Sequence, residues 1–519
     1  MTTRLTLRVI QIGAIAVVLA VTTFHAFELD RFFVPKELVL HVTAALAGLL
    51  ALRALWRMTM TRLDLLLAGY LALSALSALM ATNRWLALRA LAVSASSVLL
   101  FWIARALRDA GLARPLLAAL GIAVVVAAVT SLLQTYGLNL EIFSESRAPG
   151  GTLGNRNFVA HIAAFGFPLL LLGALQARHR NAYLRWAFGT ALVIASLVLT
   201  RSRAAWLAFA AVMLVLIVAM LFSAPLRRDR RTWRRLAGIV LIAGGVVALS
   251  LVLPNALHWR GSSPYLESVR RVAEYSEGSG RGRLVQYGKS MLMAVRHPLF
   301  GVGPGNWPVV YPSRVPPSDP SLDQTNEGMT ANPWPSSDWI ACIAERGIAA
   351  FVLLALVFVR FAKTGLRQLR ASIDAEQVIA AASLLAIVAG AAVAGTFDAV
   401  LLLAVPAFLV WSALGALWIP EEHAPRPAWR LVFIAVLLLS IAGAARSVAQ
   451  VMAMDIYATS TDRASLIRAA RIDPGNYRPV CAWRAWAAAR AASTPAPRMP
   501  SSRARAPRRM PAADAGSET

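Results

Sequence analysis

Residues 191–221 have the sequence ALVIASLVLTRSRAAWLAFAAVMLVLIVAML, two apolar runs separated by a short stretch that contains two arginines. Each run approaches the length of about 20 apolar residues that an α-helix needs to cross a membrane hydrocarbon core of about 30 Å. The runs therefore predict consecutive membrane-spanning helices over 185–200 and 204–223. The turn between them holds Arg201 and Arg203.

Similar apolar runs extend along the whole chain of 519 residues, of which 58% are apolar and 15% charged. Soluble domains are about 45–50% apolar and about 25% charged, so this composition argues against a soluble enzyme. We predict an all-α, polytopic membrane protein with about 12–13 transmembrane helices and one large loop on the outer face. The predicted spans are 9–26, 37–55, 63–82, 85–104, 115–136, 157–176, 185–200, 204–223, 236–254, 341–360, 377–397, 399–419 and 429–447.

The net charge of +26 by itself suggests a nucleic-acid binder, but the basic residues concentrate in alternate short loops. Cytoplasmic loops of membrane proteins carry such an excess of Lys and Arg. The pattern predicts a cytoplasmic N-terminus, places residues 255–338 on the outer face, and gives no reason to expect a nucleic-acid partner. The cytoplasmic set is Arg53, Arg57, Arg62, Arg105, Arg108, Arg114, Arg178, Arg180, Arg185, Arg227, Arg228, Arg230, Arg231, Arg234, Arg235, Lys363, Arg367 and Arg370.

The outer segment, 255–338, contains ten of the 27 prolines in the chain and is too long for a simple connector. Helical spacing within it predicts an amphipathic helix that lies against the membrane surface or the bundle, through Leu284, Tyr287, Met291, Leu292 and Val295. Arg281 and Arg283 then fall near its first turn, where free N–H groups favour negative charge. Either an anion binds there, or both arginines face water or lipid headgroups.

Two further features belong to the same face. Arg201 and Arg203 either reach the lipid headgroups or serve a site in the mouth of the bundle. The glycine-rich turn of residues 151–158 opens the sixth span, and His161 follows one turn inside. A single histidine on an apolar helix is more often a packing residue than a catalyst, and this is the interpretation of His161 taken here.

Four blocks of sequence together resemble the O-antigen ligase and polymerase superfamily, membrane enzymes that move glycans from a polyprenyl-diphosphate carrier on the outer face of the bacterial inner membrane. Their order, spacing and common face make the set more specific than any one block. The resemblance covers about residues 30 to 420. The blocks are Gly151-Thr152-Leu153-Gly154-Asn155-Arg156-Asn157-Phe158, Ser202-Arg203-Ala204-Ala205-Trp206, Gly282-Arg283-Leu284 with Tyr287, and His297-Pro298-Leu299-Phe300-Gly301-Val302-Gly303-Pro304-Gly305-Asn306-Trp307.

The resemblance implies roles for individual residues. Arg203 and Arg283 match the two family arginines that hold the carrier diphosphate, and Arg201 and Arg281 are their neighbours. Guanidinium groups would stabilise the charge that develops on the leaving diphosphate. Neither a cofactor nor a metal is expected. Supporting roles are expected for Asn155, Asn157, Tyr287, Asn306 and Glu345.

This chain departs from the family at a loop histidine that is thought to activate the acceptor. That position is Ser336, within Pro335-Ser336-Ser337-Asp338-Trp339. Another base could act instead, with Asp338 and His297 as the catalytic candidates and Glu345 as a third carboxylate. Alternatively, this subgroup uses a different mechanism, or the chain has lost catalysis.

The function that the resemblance implies is an inverting glycosyltransferase whose acceptor is a growing glycan, lipid A core or a protein hydroxyl. These acceptors correspond to a polymerase, a ligase and an O-oligosaccharyltransferase, with a slight preference for the polymerase. A membrane transporter or permease is the alternative from another class. The predicted organisation is spans over 1–254 and 339–447, the periplasmic loop over 255–338, a partial tetratricopeptide-like segment over 448–490 and a disordered basic tail over 491–519.

Overall fold

A computed structural model describes residues 2–23, 30–145, 147–259, 263–270, 278–322, 330, 332–420, 429–460 and 462–476. Within these ranges every secondary-structure element of more than a few residues is a helix, which confirms the predicted all-α class. The helices are α1 (Thr2–Leu19), α2 (Asp30–Leu50), α3 (Leu52–Trp56), α4 (Arg62–Leu79), α5 (Arg84–Asp109), α6 (Ala113–Thr135), α7 (Arg156–Leu175), α8 (Arg180–Leu199), α9 (Arg203–Phe222), α10 (Ala224–Arg228), α11 (Arg230–Val252), α12 (Pro264–Arg270), α13 (Gly278–Arg296), α14 (Trp307–Val310), α15 (Asp338–Ala371), α16 (Ala375–Phe397), α17 (Ala404–Leu417), α18 (Trp429–Thr459) and α19 (Arg463–Ile472).

Twelve of the described helices are long and apolar enough to cross a membrane, so the chain is a multi-pass membrane protein. The predicted span 399–419 is the shorter helix α17, which has 14 residues. Several other predicted boundaries also differ from the observed helices, for example the end predicted at 360, which is Ala371 in α15. The first helix ends at Leu19 rather than near 26, and the last span, predicted over 429–447, continues as α18 to Thr459. The separate C-terminal segment therefore begins near residue 460.

The bundle has two chemically different ends, and α4 runs from one to the other. Near the start of α4, the Asp64 carboxylate accepts hydrogen bonds from Arg105 at 2.7 and 2.8 Å, close to the arginine-rich connections. Near its other end, the Ser77 hydroxyl lies 2.9 Å from the Glu345 carbonyl oxygen and also contacts the Phe300 carbonyl, in the large segment. We call this second end the loop end. Helices α7, α9 and α15 begin there, and α16 and α18 finish there.

Helix α13 confirms the predicted amphipathic helix but faces the protein with its more polar side. Gln286 and Ser290 are buried, whereas Leu284 and Val295 are 52% and 70% exposed and point away from the bundle. The apolar side is therefore free to contact the membrane surface, one of the two predicted arrangements. The helix already includes Gly278, so Arg283 lies in its second turn, and its predicted placement near the first turn was wrong.

Candidate functional site

Two side chains of α13 attach this helix to the loop end. The Tyr287 hydroxyl lies 2.6 Å from the Ser336 carbonyl oxygen and 2.8 Å from that of Thr396, and so can donate to either. The Ser336 N–H donates to Gln286 Oε1 at 2.7 Å. Both backbone groups of Ser336 are thus engaged by α13. Arg283 lies one turn before Tyr287 on the same side of the helix, so these contacts also fix the position of Arg283.

His161 on α7 has two charged neighbours at this end of the bundle, Arg283 on α13 and Asp398 after α16. His161 is 1% exposed, and neither ring nitrogen has a hydrogen-bond partner among the described residues. It interacts electrostatically with the Asp398 carboxylate and the Arg283 guanidinium. The Asp398 carboxylate accepts the Ala399 N–H at 2.9 Å. Because a carboxylate offers about four acceptor positions, further ones remain for a ligand.

Arg203 begins α9 at the same end of the bundle. The nearby Trp206 indole N–H donates to the Leu197 carbonyl at 3.1 Å and so fixes the start of α9 against the end of α8. Arg201 adopts a positive φ of 53°, a conformation that costs a non-glycine residue about 1–3 kcal/mol. Its Nε donates to Ser268 Oγ at 2.8 Å. The turn between α8 and α9 is therefore fixed by two contacts, one from Trp206 to Leu197 and one from Arg201 to Ser268.

The Trp259 ring lies between two arginines of this end. The guanidinium carbons of Arg201 and Arg156 are each 4.8 Å from the ring centroid. Burial lowers the pKa of the Arg201 guanidinium, and the nearby Glu267 carboxylate opposes that shift. The two cations are incompletely hydrated and close to each other, so an anion bound beside them would be stabilised.

The packing of α9 against α16 places Arg203 and Asp398 at similar depths. A Cβ built on Gly390 of α16 would lie 2.7 Å from Val212 of α9 and 3.2 Å from Phe165 of α7, so the three helices meet there. From that contact, Arg203 lies about 13 Å and Asp398 about 12 Å towards the loop end at 1.5 Å per helical residue. Adjacent helix axes are about 8–10 Å apart. Arg203 and Asp398 therefore lie at similar depths on neighbouring helices.

Asp338, the first catalytic candidate from the sequence, has a different environment. Its side chain is 2% exposed, and its carboxylate accepts the N–H groups of Val400, Leu401 and Leu402 at 2.9–3.3 Å. These bonds hold the turn between α16 and α17. The geometry gives Asp338 a structural role and does not support its assignment as the general base.

Comparison with known protein families identifies the central part of the chain, because residues 188–355 match the family model described as O-antigen ligase. The chain carries an O-antigen ligase domain. A search of curated proteins found no match. The matched residues include Arg203, Arg283 and Ser336, whereas His161 and Asp398 lie outside them. The match confirms the resemblance inferred from the sequence and supports a membrane glycan-transfer family over these residues.

Within the O-antigen ligase domain, Glu345 and Asn306 organise a second glycine-rich turn, residues 301–307, which follows α13 and is called the 301–307 turn below. Glu345 is buried and its carboxylate accepts the N–H groups of Gly305 at 2.9 Å and Trp307 at 3.1 Å. The Asn306 amide exchanges hydrogen bonds with the Asn83 backbone at 2.7 and 3.0 Å. Of the five predicted supporting residues, these two therefore bind backbone groups. Glu345 binds within the domain, and Asn306 joins the domain to the start of α5.

The remaining predicted residues lie at the edges of the site. Asn155 is the N-cap of α7, and its side chain accepts the Asn157 N–H at 3.0 Å. Arg281 is exposed. His297 is also exposed and directly follows α13, which agrees with its alternative interpretation as part of the helix stop. The structure brings none of these four into contact with His161 or Asp398.

Replacing Glu345 by Gln is expected to destabilise the O-antigen ligase domain by about 1–3 kcal/mol, because an amide retains only one of the two accepting oxygens and leaves a buried N–H unpaired. Thermal unfolding of the purified protein in detergent would measure this as a lower midpoint. An unchanged midpoint would contradict the capping role. Glu376→Gln is the matched control, because that glutamate is half exposed in a pair with Arg114.

Proposed function

We propose that this protein transfers a glycan from a polyprenyl-diphosphate carrier to an acceptor hydroxyl at the periplasmic face of the bacterial inner membrane. The observation that supports the proposal is the electrostatic interaction of His161 with both Arg283 and Asp398. Arg203, from a separate segment of the O-antigen ligase domain, begins α9 at the same end of the bundle. A cationic, poorly hydrated region beside a carboxylate suits both a diphosphate and an attacking hydroxyl.

The two arginines would hold the diphosphate and stabilise the leaving group. When the acceptor oxygen attacks the anomeric carbon, the bond to the carrier phosphate breaks and negative charge collects on the diphosphate oxygens. Fixed guanidinium groups stabilise that charge best where water is scarce. Their planar donors can pair with two oxygens at once, which lysine cannot do.

Asp398 is our candidate for the group that accepts the acceptor proton, in place of the histidine that Ser336 replaces. It interacts with His161, as does Arg283, and its carboxylate has acceptor positions beyond the one used by Ala399. Asp338, in contrast, is engaged by three backbone N–H groups. Direct attack by the acceptor, without a covalent intermediate on the protein, would invert the configuration at the anomeric carbon.

The outward side of α13 supports a lipid-linked donor. Leu284, Leu292 and Val295 are exposed on this helix, and Arg283 lies on its protein-facing side. An amphipathic helix of this kind lies in the membrane interface. The polyprenyl chain would then remain in lipid while the diphosphate reaches Arg283. The arginine-rich connections at the opposite end favour a cytoplasmic location for that end.

Deletion of the gene in its native host tests the proposal and distinguishes the acceptors. We expect loss of one class of glycan, restored by a plasmid copy. Single units on the carrier would indicate a polymerase, long carrier-linked chains with bare lipid A core a ligase, and carrier-linked chains with unglycosylated protein an O-oligosaccharyltransferase. Mass spectrometry of the carrier pool and gel analysis of surface glycans provide the measurement. Unchanged glycans and carrier pools would contradict the proposal.

A further inference from the structure

A second polar region of the loop end lies outside the arginine site. It is a solvent-open cavity between α2, α5, α18, the 301–307 turn and the C-terminal turn of residues 473–476. Its polar wall consists mainly of Asp30, Glu37, Arg89, Arg446, Gln450 and Asp473.

The charges of this cavity wall are arranged in pairs, with one acceptor left over. Arg89 forms a two-point ion pair with Glu37, with donor–acceptor distances of 2.7–3.0 Å. Arg446 donates to Gln450 at 2.7 Å and lies 3.9 Å from Asp473 Oδ1. Asp473 Oδ2 is buried and has no hydrogen-bond partner in the described part of the chain. Such an oxygen normally has a partner, and a ligand hydroxyl could supply it.

One wall of the cavity separates it from the arginine site. Pro333 and Trp334 line the cavity, and two residues later Ser336 is bound by α13. The Trp334 ring packs edge-on against Phe33 at 4.8 Å and lies 6.5 Å from Phe158, which is on α7 one turn before His161. A short stretch of chain thus has the cavity on one side and the arginine helix on the other.

We propose that this cavity binds the saccharide of the acceptor, an inference that rests on the proposed glycan transfer. The wall carries four carboxylates, of Asp30, Glu37, Glu345 and Asp473, and two guanidinium groups, so a phosphate would be repelled. Sugar hydroxyls, in contrast, can donate to the carboxylates and accept from the arginines. Trp334 and the prolines supply apolar surface for the sugar ring. A neutral, hydroxyl-rich ligand fits this combination.

The C-terminal segment completes the acceptor cavity. The Trp85 indole N–H donates to Asp473, and the Asn83 side chain donates to the Gly475 carbonyl at 2.9 Å. These bonds hold the turn after α19 against the start of α5. The segment predicted from its sequence as tetratricopeptide-like therefore forms part of a binding wall. Residues 477–519, which include the predicted disordered tail, lie outside the described residues.

Binding measurements on the full-length protein in lipid nanodiscs test the proposal. The saccharide probe is the lipid-free repeat-unit oligosaccharide released from the surface polysaccharide of the host, followed by saturation-transfer NMR. We expect Asp473→Asn to weaken this binding about tenfold through loss of a charged hydrogen bond. Asp455→Asn, at an exposed carboxylate near the end of α18, is the matched control and should bind as the wild type. Equal binding in Asp473→Asn, or no saccharide binding to the wild type, would overturn the proposal.

A second variant guards against misfolding of Asp473→Asn. Ala90 lines the cavity, so Ala90→Leu would fill part of it without removing a polar group, and saccharide binding should fall at least tenfold. Farnesyl diphosphate serves as a separate probe of the arginine site. Its binding should persist in both cavity variants and decrease in Arg283→Ala. Unchanged farnesyl diphosphate binding in Arg283→Ala would contradict the proposed function, whereas unchanged saccharide binding in Ala90→Leu would contradict the acceptor cavity alone.

Discussion

Replacing Arg203 or Arg283 by alanine is expected to lower glycan transfer about 100- to 1,000-fold, the effect typical of removing one group that stabilises developing negative charge. Each substitution removes a cation from the loop end, and both arginines are only partly buried, so the fold should tolerate the change. Transfer from a polyprenyl-diphosphate-linked glycan by the protein in nanodiscs measures the effect. Immunoblots of membranes check that protein levels are unchanged.

Two kinds of control make this result specific. Arg296→Ala removes an exposed arginine at the other end of α13 and should leave transfer near the wild-type rate. Lysine at 203 or 283 keeps the charge but loses the planar pair of donors, so an intermediate rate is expected. Wild-type transfer by both alanine variants would rule out the diphosphate role. A loss as large in Arg296→Ala would indicate a general effect of charge.

The fold was largely predictable because span length is a local property of the sequence. The twelve described helices of membrane-spanning length are too apolar to be placed in water. Their helical nature follows from the need to pair every backbone group in lipid. The exception at 399–419 is informative. Its first residues form a turn held by Asp338, which is 61 residues earlier than Ala399, and such a distant contact has no local signal.

The candidate site was predictable only in part, for the same physical reason. Arg203 stood out because arginines in a short loop on the outer face oppose the charge trend, and the family resemblance singled out both Arg203 and Arg283. The relation between His161 and Asp398 depends on how α7 and α16 pack, and the sequence reveals neither the neighbour nor the depth. The structural roles of Asn306 and Glu345 depend on long-range contacts with Asn83 and with the 301–307 turn.

Asp398, which follows α16, and Asp338, which begins α15 and binds the turn after α16, should respond differently to replacement by asparagine. Asp398→Asn is expected to lower turnover about 100-fold or more while farnesyl diphosphate binding is retained, because it removes only the proton acceptor. Asp338→Asn should instead lower stability by about 2–3 kcal/mol, since an amide nitrogen would face backbone N–H groups that the carboxylate now binds. Turnover with the carrier-linked donor and thermal midpoints, measured on the same preparations, separate the two effects.

Comparison of these variants decides between two assignments of the base. If Asp398→Asn turns over at the wild-type rate, the proton acceptor lies elsewhere and Asp398 merely ends α16. If Asp338→Asn is fully stable but inactive, the carboxylate must release its backbone partners during the reaction, and the sequence-based choice of Asp338 would be restored. The three N–H groups that Asp338 accepts argue against that release, because all three would lose their partner at once in a site with little water.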